Sequence, residues 1–340
     1  MGTLYNNDLW IWGAHEKVRV LRNSIDPLSL NKSYFDTITL PDDAPQSIEY
    51  IPKKLMENVA SVSVGKMHTM CVTKGHELWG WGNNDYGELG IGNFIDQQTP
   101  TFIMDGVKRV FAFYNMTFAI MEDDSLCGWG NNEGFVLQDN YELCKRPVLL
   151  FNNVKTVSAS KADVMVVNWN GELWHWGDRS RHIDIRRNEY YQPPELYMSG
   201  IKDVTITPND IPYFELTITE NGDLYSRGIG DRTGGMLPWT AIAKYGDVPV
   251  KVLSNVSKAY IGYYYSLIIL EDGRLYASGS NRQGQCGKAP CNKPNLIMHD
   301  VIEAAAGYSH SLALQSNGDL WIWGGDYCLE VGTEEKSHNT

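Results

Sequence analysis

Leu320-Trp321-Ile322-Trp323-Gly324 decides the fold, because the same five-residue word stands at six other places in the chain. It reads Leu9-Trp10-Ile11-Trp12-Gly13, Leu78-Trp79-Gly80-Trp81-Gly82, Leu126-Cys127-Gly128-Trp129-Gly130 and Leu173-Trp174-His175-Trp176-Gly177. Two reduced forms follow, Leu224-Tyr225-Ser226-Arg227-Gly228 and Leu275-Tyr276-Ala277-Ser278-Gly279. Successive leucines are 69, 48, 47, 51, 51 and 45 residues apart, the spacing of a repeat architecture. Nine of the eleven tryptophans (Trp10, Trp12, Trp79, Trp81, Trp129, Trp174, Trp176, Trp321 and Trp323) lie inside these words, so the tryptophan content is architectural.

Moving outward, each leucine follows a turn signal, and four of these are Asn170-Gly171, Asn221-Gly222, Asp272-Gly273 and Asn317-Gly318. Such dipeptides accept positive φ at both centres and predict type I′ hairpins. Short strands such as Ser266-Leu267-Ile268-Ile269-Leu270 precede the turns, and β-branched segments such as Val154-Lys155-Thr156-Val157 come earlier still. Each unit is a run of short antiparallel strands. Within a word the side chains alternate, Trp321 and Trp323 to one face and Leu320 and Ile322 to the other. Both faces are apolar, whereas a half-wet sheet carries polar residues at every second position. Each small sheet is therefore covered on both sides by its neighbours, which radial repetition achieves. The expectation is an all-β chain, one domain over residues 1–340, forming a seven-bladed β-propeller of short antiparallel sheets. A linear β-solenoid is the alternative, with shorter repeats.

Around the words stand Gly82-Asn83-Asn84-Asp85-Tyr86-Gly87-Glu88-Leu89-Gly90-Ile91-Gly92 and Gly279-Ser280-Asn281-Arg282-Gln283-Gly284-Gln285-Cys286-Gly287, with Gly65-Lys66-Met67-His68-Thr69 and Gly307-Tyr308-Ser309-His310-Ser311. These stretches resemble the regulator of chromosome condensation repeat across nearly the whole chain. The resemblance implies the seven-bladed propeller but no single activity. That family includes a nucleotide exchange factor for the GTPase Ran, ubiquitin-ligase modules and a secreted β-lactamase inhibitor. Two departures stand out. The third, fourth and fifth units lose the glycine-rich loop after the word, and the Val-rich segment that opens a unit occurs six times against seven words. Either residues 325–340 supply a short strand to the first blade, or that blade is incomplete.

Composition narrows the function. Lys and Arg total 29 against 41 Asp and Glu, a formal charge of −12, which argues against nucleic acid and anionic membranes as partners. No apolar run reaches the roughly 18–20 residues of a membrane span, and Met1–Asp8 lacks the pattern of a secretory signal. A cytoplasmic, monomeric protein is the expectation. Cys71, Cys127, Cys144, Cys286, Cys291 and Cys328 form no CxxC pair and read as reduced apolar fillers. HExxH, GxSxG and GxxxxGK[ST] are absent, so the sequence points to no enzyme, no cofactor and no metal.

Binding residues are sought where the repeat is broken. An insertion over about residues 14–54, with Pro27, Pro41, Pro45 and Pro52, lengthens the first interval, and residues 325–340 form a tail. After Gly177 the chain carries Arg179, Arg181, Arg186 and Arg187 and then Tyr190 and Tyr191. Arg and Tyr anchor protein interfaces because they bury large area and keep polar contacts. These six are the expected partner-binding residues, against the plainer reading of a solvated loop. Tyr260 and Tyr263-Tyr264-Tyr265 are expected to be mainly strand residues. His68 and His310 share one repeat position and are expected to make a structural hydrogen bond. The leading function is a non-catalytic scaffold that binds a protein partner through propeller-face loops. Guanine nucleotide exchange on a small GTPase and an enzyme-inhibitor role are the alternatives. Only Trp169 and Trp239 lie outside the words as tryptophans a glycan could use.

Overall fold

The computed structural model describes residues 2–3, 9–13, 49–134, 136–137, 142–177, 193–207, 214–228, 248–287 and 294–325. They form seven antiparallel sheets and no helix. The second sheet shows the plan: an inner strand Val59–Val64, a second strand His68–Thr73, the tryptophan word Leu78–Gly82 as third strand, and an outer strand Gln97–Met104. The third to sixth sheets repeat all four strands. Their inner strands are Val107–Phe113, Val154–Ala159, Ile201–Ile206 and Val256–Ile261. The seventh sheet consists of Val301–Ala306, His310–Gln315 and Leu320–Gly324, without an outer strand among the described residues. The first pairs Gly2–Thr3, Leu9–Gly13 and Glu49–Met56 and has no inner strand among them.

The all-β propeller follows, with a correction to its count. Seven sheets form, but six possess the strand that lines the axis, so the seven equal blades of the sequence reading are not all complete in the described residues. Within the expected insertion of about residues 14–54, residues from Glu49 onward belong to the first sheet's outer strand. Residues 14–48 and 326–340 lie outside the described residues, as do Cys291 and Cys328.

The sandwich argument explains the core. The second strands His68–Thr73, Asp163–Asn168 and Tyr265–Leu270 are buried at every residue, because a neighbouring sheet covers each face. The leucine that opens each word packs with the aliphatic residue that opens the next inner strand: Leu9 with Val59, Leu78 with Val107, Leu126 with Val154, Leu173 with Ile201, Leu224 with Val256, and Leu275 with Val301. All six leucines are 0% exposed, whereas Leu320, in the last sheet, is 46% exposed.

The turns differ from expectation in an instructive way. Only the glycines of Asn170-Gly171, Asn221-Gly222, Asp272-Gly273 and Asn317-Gly318 take positive φ, from 73° to 93°, so these are not type I′ turns. Each closes with the glycine N–H donating three residues back, as from Gly222 to the Thr219 carbonyl at 2.9 Å, a type I turn followed by a left-handed residue. His76 and Asp124 occupy the same place with φ of 64° and 62°. The physical reason lies in the neighbouring sheet. The carbonyls of His76, Asp124, Gly171, Gly222 and Gly273 accept the N–H of the residue that opens the next inner strand, at 2.8–2.9 Å. The left-handed residue aims its carbonyl between sheets.

Candidate functional site

Two kinds of connection meet at one face of the propeller. His68 pairs with Gly82 across the second sheet, so the loop joining inner and second strands and the loop after the tryptophan word leave from the same edge. Among the described residues the opposite face carries only tight turns. We call the first the loop face.

The two tryptophans of a word act differently there. The second donates its indole N–H to a loop carbonyl of the preceding sheet: Trp129 to Glu88, Trp176 to Val136 and Trp323 to Gln285, each at 2.9 Å. A hydroxyl of the following sheet joins it, Thr117 on the Glu88 carbonyl at 2.7 Å and Ser311 on that of Gln285 at 2.8 Å. The first tryptophan faces outward: Trp79 packs edge-on against Phe102 of the outer strand, ring centres 5.6 Å apart. In the fifth sheet the staple position is Arg227, buried beside Glu215 at 3.7 Å and donating to the Tyr197 hydroxyl at 2.8 Å. Buried His175 and Asp163 pair at 3.1 Å in the fourth.

The loops themselves are pinned by asparagine. Asn84 accepts the Leu89 N–H at 2.9 Å, and Asn281 accepts that of Cys286 at 2.7 Å. Asn132 accepts the Leu137 N–H at 2.8 Å, so the third unit keeps this anchor although it lacks the glycine-rich stretch. The sequence signal was the asparagine alone.

Around the axis on this face sit the loops between inner and second strands. Lys66 donates its backbone N–H to the Tyr114 carbonyl at 2.8 Å, and its ammonium to the Tyr114 hydroxyl at 3.0 Å while lying 4.5 Å from the ring centre. Lys161 pairs with Glu133 at 2.9 Å. Tyr263 stacks on Tyr308 with centres 4.0 Å apart, and Tyr264 meets Tyr263 edge-on at 4.3 Å. Burial, aided by the Tyr308 hydroxyl, holds the Tyr263 phenol above its ordinary range, and burial with the Tyr263 contact does the same for Tyr264. Tyr260 and Tyr265 are the strand residues expected, whereas Tyr263 and Tyr264 belong to the mouth.

His68 is buried, and its Nε2 lies 3.0 Å from the Thr117 hydroxyl. Burial drives its pKa down to about 3, so it stays neutral and structural. The ring folds back over Gly65, where a Cβ would lie 2.2 Å from it. Tyr265 repeats this over Gly262 and bonds Ser311 at 3.0 Å. The free cysteines fit the filler reading: Cys71, Cys144 and Cys286 are buried, and burial pushes the thiols of Cys71 and Cys144 up to about 12 and about 11. Among the described residues no group of three or more His, Cys, Asp or Glu could hold a metal, and no helix is long and apolar enough to cross a membrane.

Arg179, Arg181, Arg186, Arg187, Tyr190 and Tyr191 lie outside the described residues, as does Trp239. The strand that precedes them ends at Gly177, paired with Asp163, at the loop face. Trp169 stands on the opposite face, 52% exposed, with the Lys108 ammonium 5.3 Å from its ring.

Comparison with known proteins agrees with this architecture. A family model described as "Regulator of chromosome condensation (RCC1) repeat" matches residues 76–120 and 272–314, and a second model of the same description matches 59–88, 256–285 and 301–328. The chain is 24% identical to "RCC1 domain-containing protein RUG3, mitochondrial" of Arabidopsis thaliana over 95% of this chain and 79% of that protein. It is 23% identical to "Ultraviolet-B receptor UVR8" of the same plant over 86% and 70%. With "Guanine nucleotide exchange factor SRM1" of Saccharomyces cerevisiae it shares 24% over 96% and 66%. Yeast RCC1 (Prp20), solved bound to Kap60, superposes with a TM-score of 0.70 at 22% identity, covering 83% of this chain and 73% of that one. Human WBSCR16 superposes at 0.70 with 18% identity, covering 85% and 83%. At these identities the solved structures establish the propeller and nothing finer.

Proposed function

Because the chain carries regulator of chromosome condensation repeats on a β-propeller, we propose that it is a non-catalytic scaffold gripping a protein partner with its loop face. The observation that carries this is the stapling of that face. The Glu88, Val136 and Gln285 carbonyls, each in a loop, are tied to the following sheet. Loops fixed before contact lose less entropy when a partner binds. Arg186 and Arg187, with Arg179, Arg181, Tyr190 and Tyr191, remain the proposed anchors, and a cytoplasmic monomer is part of the same proposal. The test is affinity capture from native extract, quantified by mass spectrometry, with the wild type beside an R186E/R187E variant. Loss of a specific protein with the variant is expected, and equal capture by both would remove these anchors.

Exchange of guanine nucleotide on a small GTPase is the second reading. It is favoured by the likeness to SRM1 and to Prp20p, whose solved structure is titled with "Its Binding Properties to Gsp1p and Histones". Release of labelled GDP from the host's own small GTPases separates the two readings. Acceleration by catalytic amounts of the protein supports exchange, and unchanged rates across the panel retire it.

A further inference from the structure

The charge of this protein is unevenly placed. On the opposite face the turns between second and third strands carry Glu122, Asp123, Asp124, Glu220, Glu271 and Asp272 against Lys74 and Arg274, with Asp124 paired to Lys108 at 2.6 Å and Asp272 to Arg274 at 2.8 Å. At the loop face the described connections between inner and second strands, residues 65–67, 114–115, 160–162, 262–264 and 307–309, hold no carboxylate. They present Lys66 and Lys161 together with the phenols of Tyr114, Tyr263, Tyr264 and Tyr308. In a chain of formal charge −12 this is a mouth lined by hydrogen-bond donors. Lys161 in these connections pairs with Glu133 at 2.9 Å.

A second observation singles out the same loops. Among the described residues, eight other than glycine adopt positive φ, and six of them are Asn, Asp or His, which tolerate it. The two bulky exceptions are Tyr114 at 51° and Tyr264 at 63°, both at this mouth. Backbone strain of this kind persists only where the surroundings enforce it, and it clusters at binding sites. Here it sets one phenol beside Lys66 and another edge-on to the Tyr263–Tyr308 stack, of which Tyr308 is 51% exposed.

We infer that this axial mouth is a docking site for an acidic peptide segment of a protein partner, with Asp and Glu carboxylates received by the Lys66 ammonium and the tyrosine hydroxyls. The acidic turns of the far face repel such a segment, so the fold itself orients the encounter. The inference rests on the scaffold reading and names the chemistry of what that scaffold holds.

The probe is a fluorescein-labelled peptide of alternating Asp and Glu with Gly spacers, followed by anisotropy on the full chain at low salt. A Lys/Arg peptide of equal length is the comparison. Binding of the acidic peptide is expected, weakening with salt and by about tenfold in a Lys66→Glu/Tyr308→Ala variant. Lys66→Arg keeps the affinity, and Glu271→Gln on the far face changes it little. Circular dichroism of each variant verifies folding. Failure of the acidic peptide to bind, equal binding by the double variant, or preference for the basic peptide overturns the inference. Because the probe is synthetic, such a failure leaves the scaffold reading to its own capture experiment.

Discussion

Leu275 and Leu320 open the same repeated word, yet their surroundings differ, and that difference sets a measurable energy. Leu275 is 0% exposed and packs with Val301 of the next inner strand, while Leu320 is 46% exposed. Truncating a fully buried leucine to alanine removes its transfer energy and leaves a cavity, about 3 kcal/mol or more. Truncating a half-exposed one loses part of the transfer energy and leaves no closed cavity, about 1 kcal/mol or less. At about 2.1 cal/mol/K per residue, unfolding of all 340 residues together carries an entropy of about 0.7 kcal/mol/K. Leu275→Ala is then expected to lower Tm by about 4 °C and Leu320→Ala by about 1 °C. Differential scanning calorimetry of both variants beside the wild type provides the comparison, and the ratio of the two shifts matters more than either alone. Equal shifts would mean that Leu320 is covered as completely as its six counterparts, and the reasoning from sheet-to-sheet burial would fail.

Other outcomes follow from the same geometry. Trp176→Phe removes the pyrrole half of a fully buried indole and strips the Val136 carbonyl of its donor, costing about 2 kcal/mol or more. Trp79→Phe loses a 3.3 Å contact to the partly exposed Glu77 carboxylate and trims the outward packing on Phe102, and it is expected to cost about 1 kcal/mol, less than Trp176→Phe, by the same denaturation assay. Gly262→Ala forces a Cβ to 2.2 Å from the Tyr265 ring, so a loss of about 2 kcal/mol or more is expected, against almost nothing for Gly200→Ser in open space apart from the φ penalty. His68 has its folded pKa pushed below the unfolded value, so its contribution is full above about pH 6.5. It declines as pH falls from there toward about 3, by about 1.4 kcal/mol per unit. Urea titrations between pH 7 and 4 should show a shallower acid loss in His68→Tyr, which installs the residue that the sixth sheet holds there; parallel curves would refute the assignment.

Much of this fold could be read from five residues. The recurrence of Leu-Trp-x-Trp-Gly with apolar residues on both faces demanded sheets covered on both sides, and Leu9 through Leu275 are all buried as that argument requires. What escaped was set by partners distant in sequence. Nothing near Asn170-Gly171 shows that its carbonyl serves Ile201 in the next sheet, so local propensity chose a symmetric hairpin turn where the inter-sheet bond selects another. The division of labour between the two tryptophans was also hidden, because the loop carbonyl that receives Trp129 lies 41 residues away. The site was least legible. The mouth is assembled from one or two residues per sheet, and only the ring brings Lys66 beside Tyr114 and Tyr263 onto Tyr308, while the arginines lie outside the described residues.

One irregularity recurs in all six inner strands. Directly after the buried aliphatic residue that opens the strand, the register slips, and Ala60, Lys108, Lys155, Lys202, Ser257 and Ile302 are each left without a cross-strand partner. A residue relieved of pairing in this way is answerable to neither the ladder nor the core. These six positions can therefore change chemistry, from methyl to ammonium to hydroxyl, while the sheets on either side stay as they are.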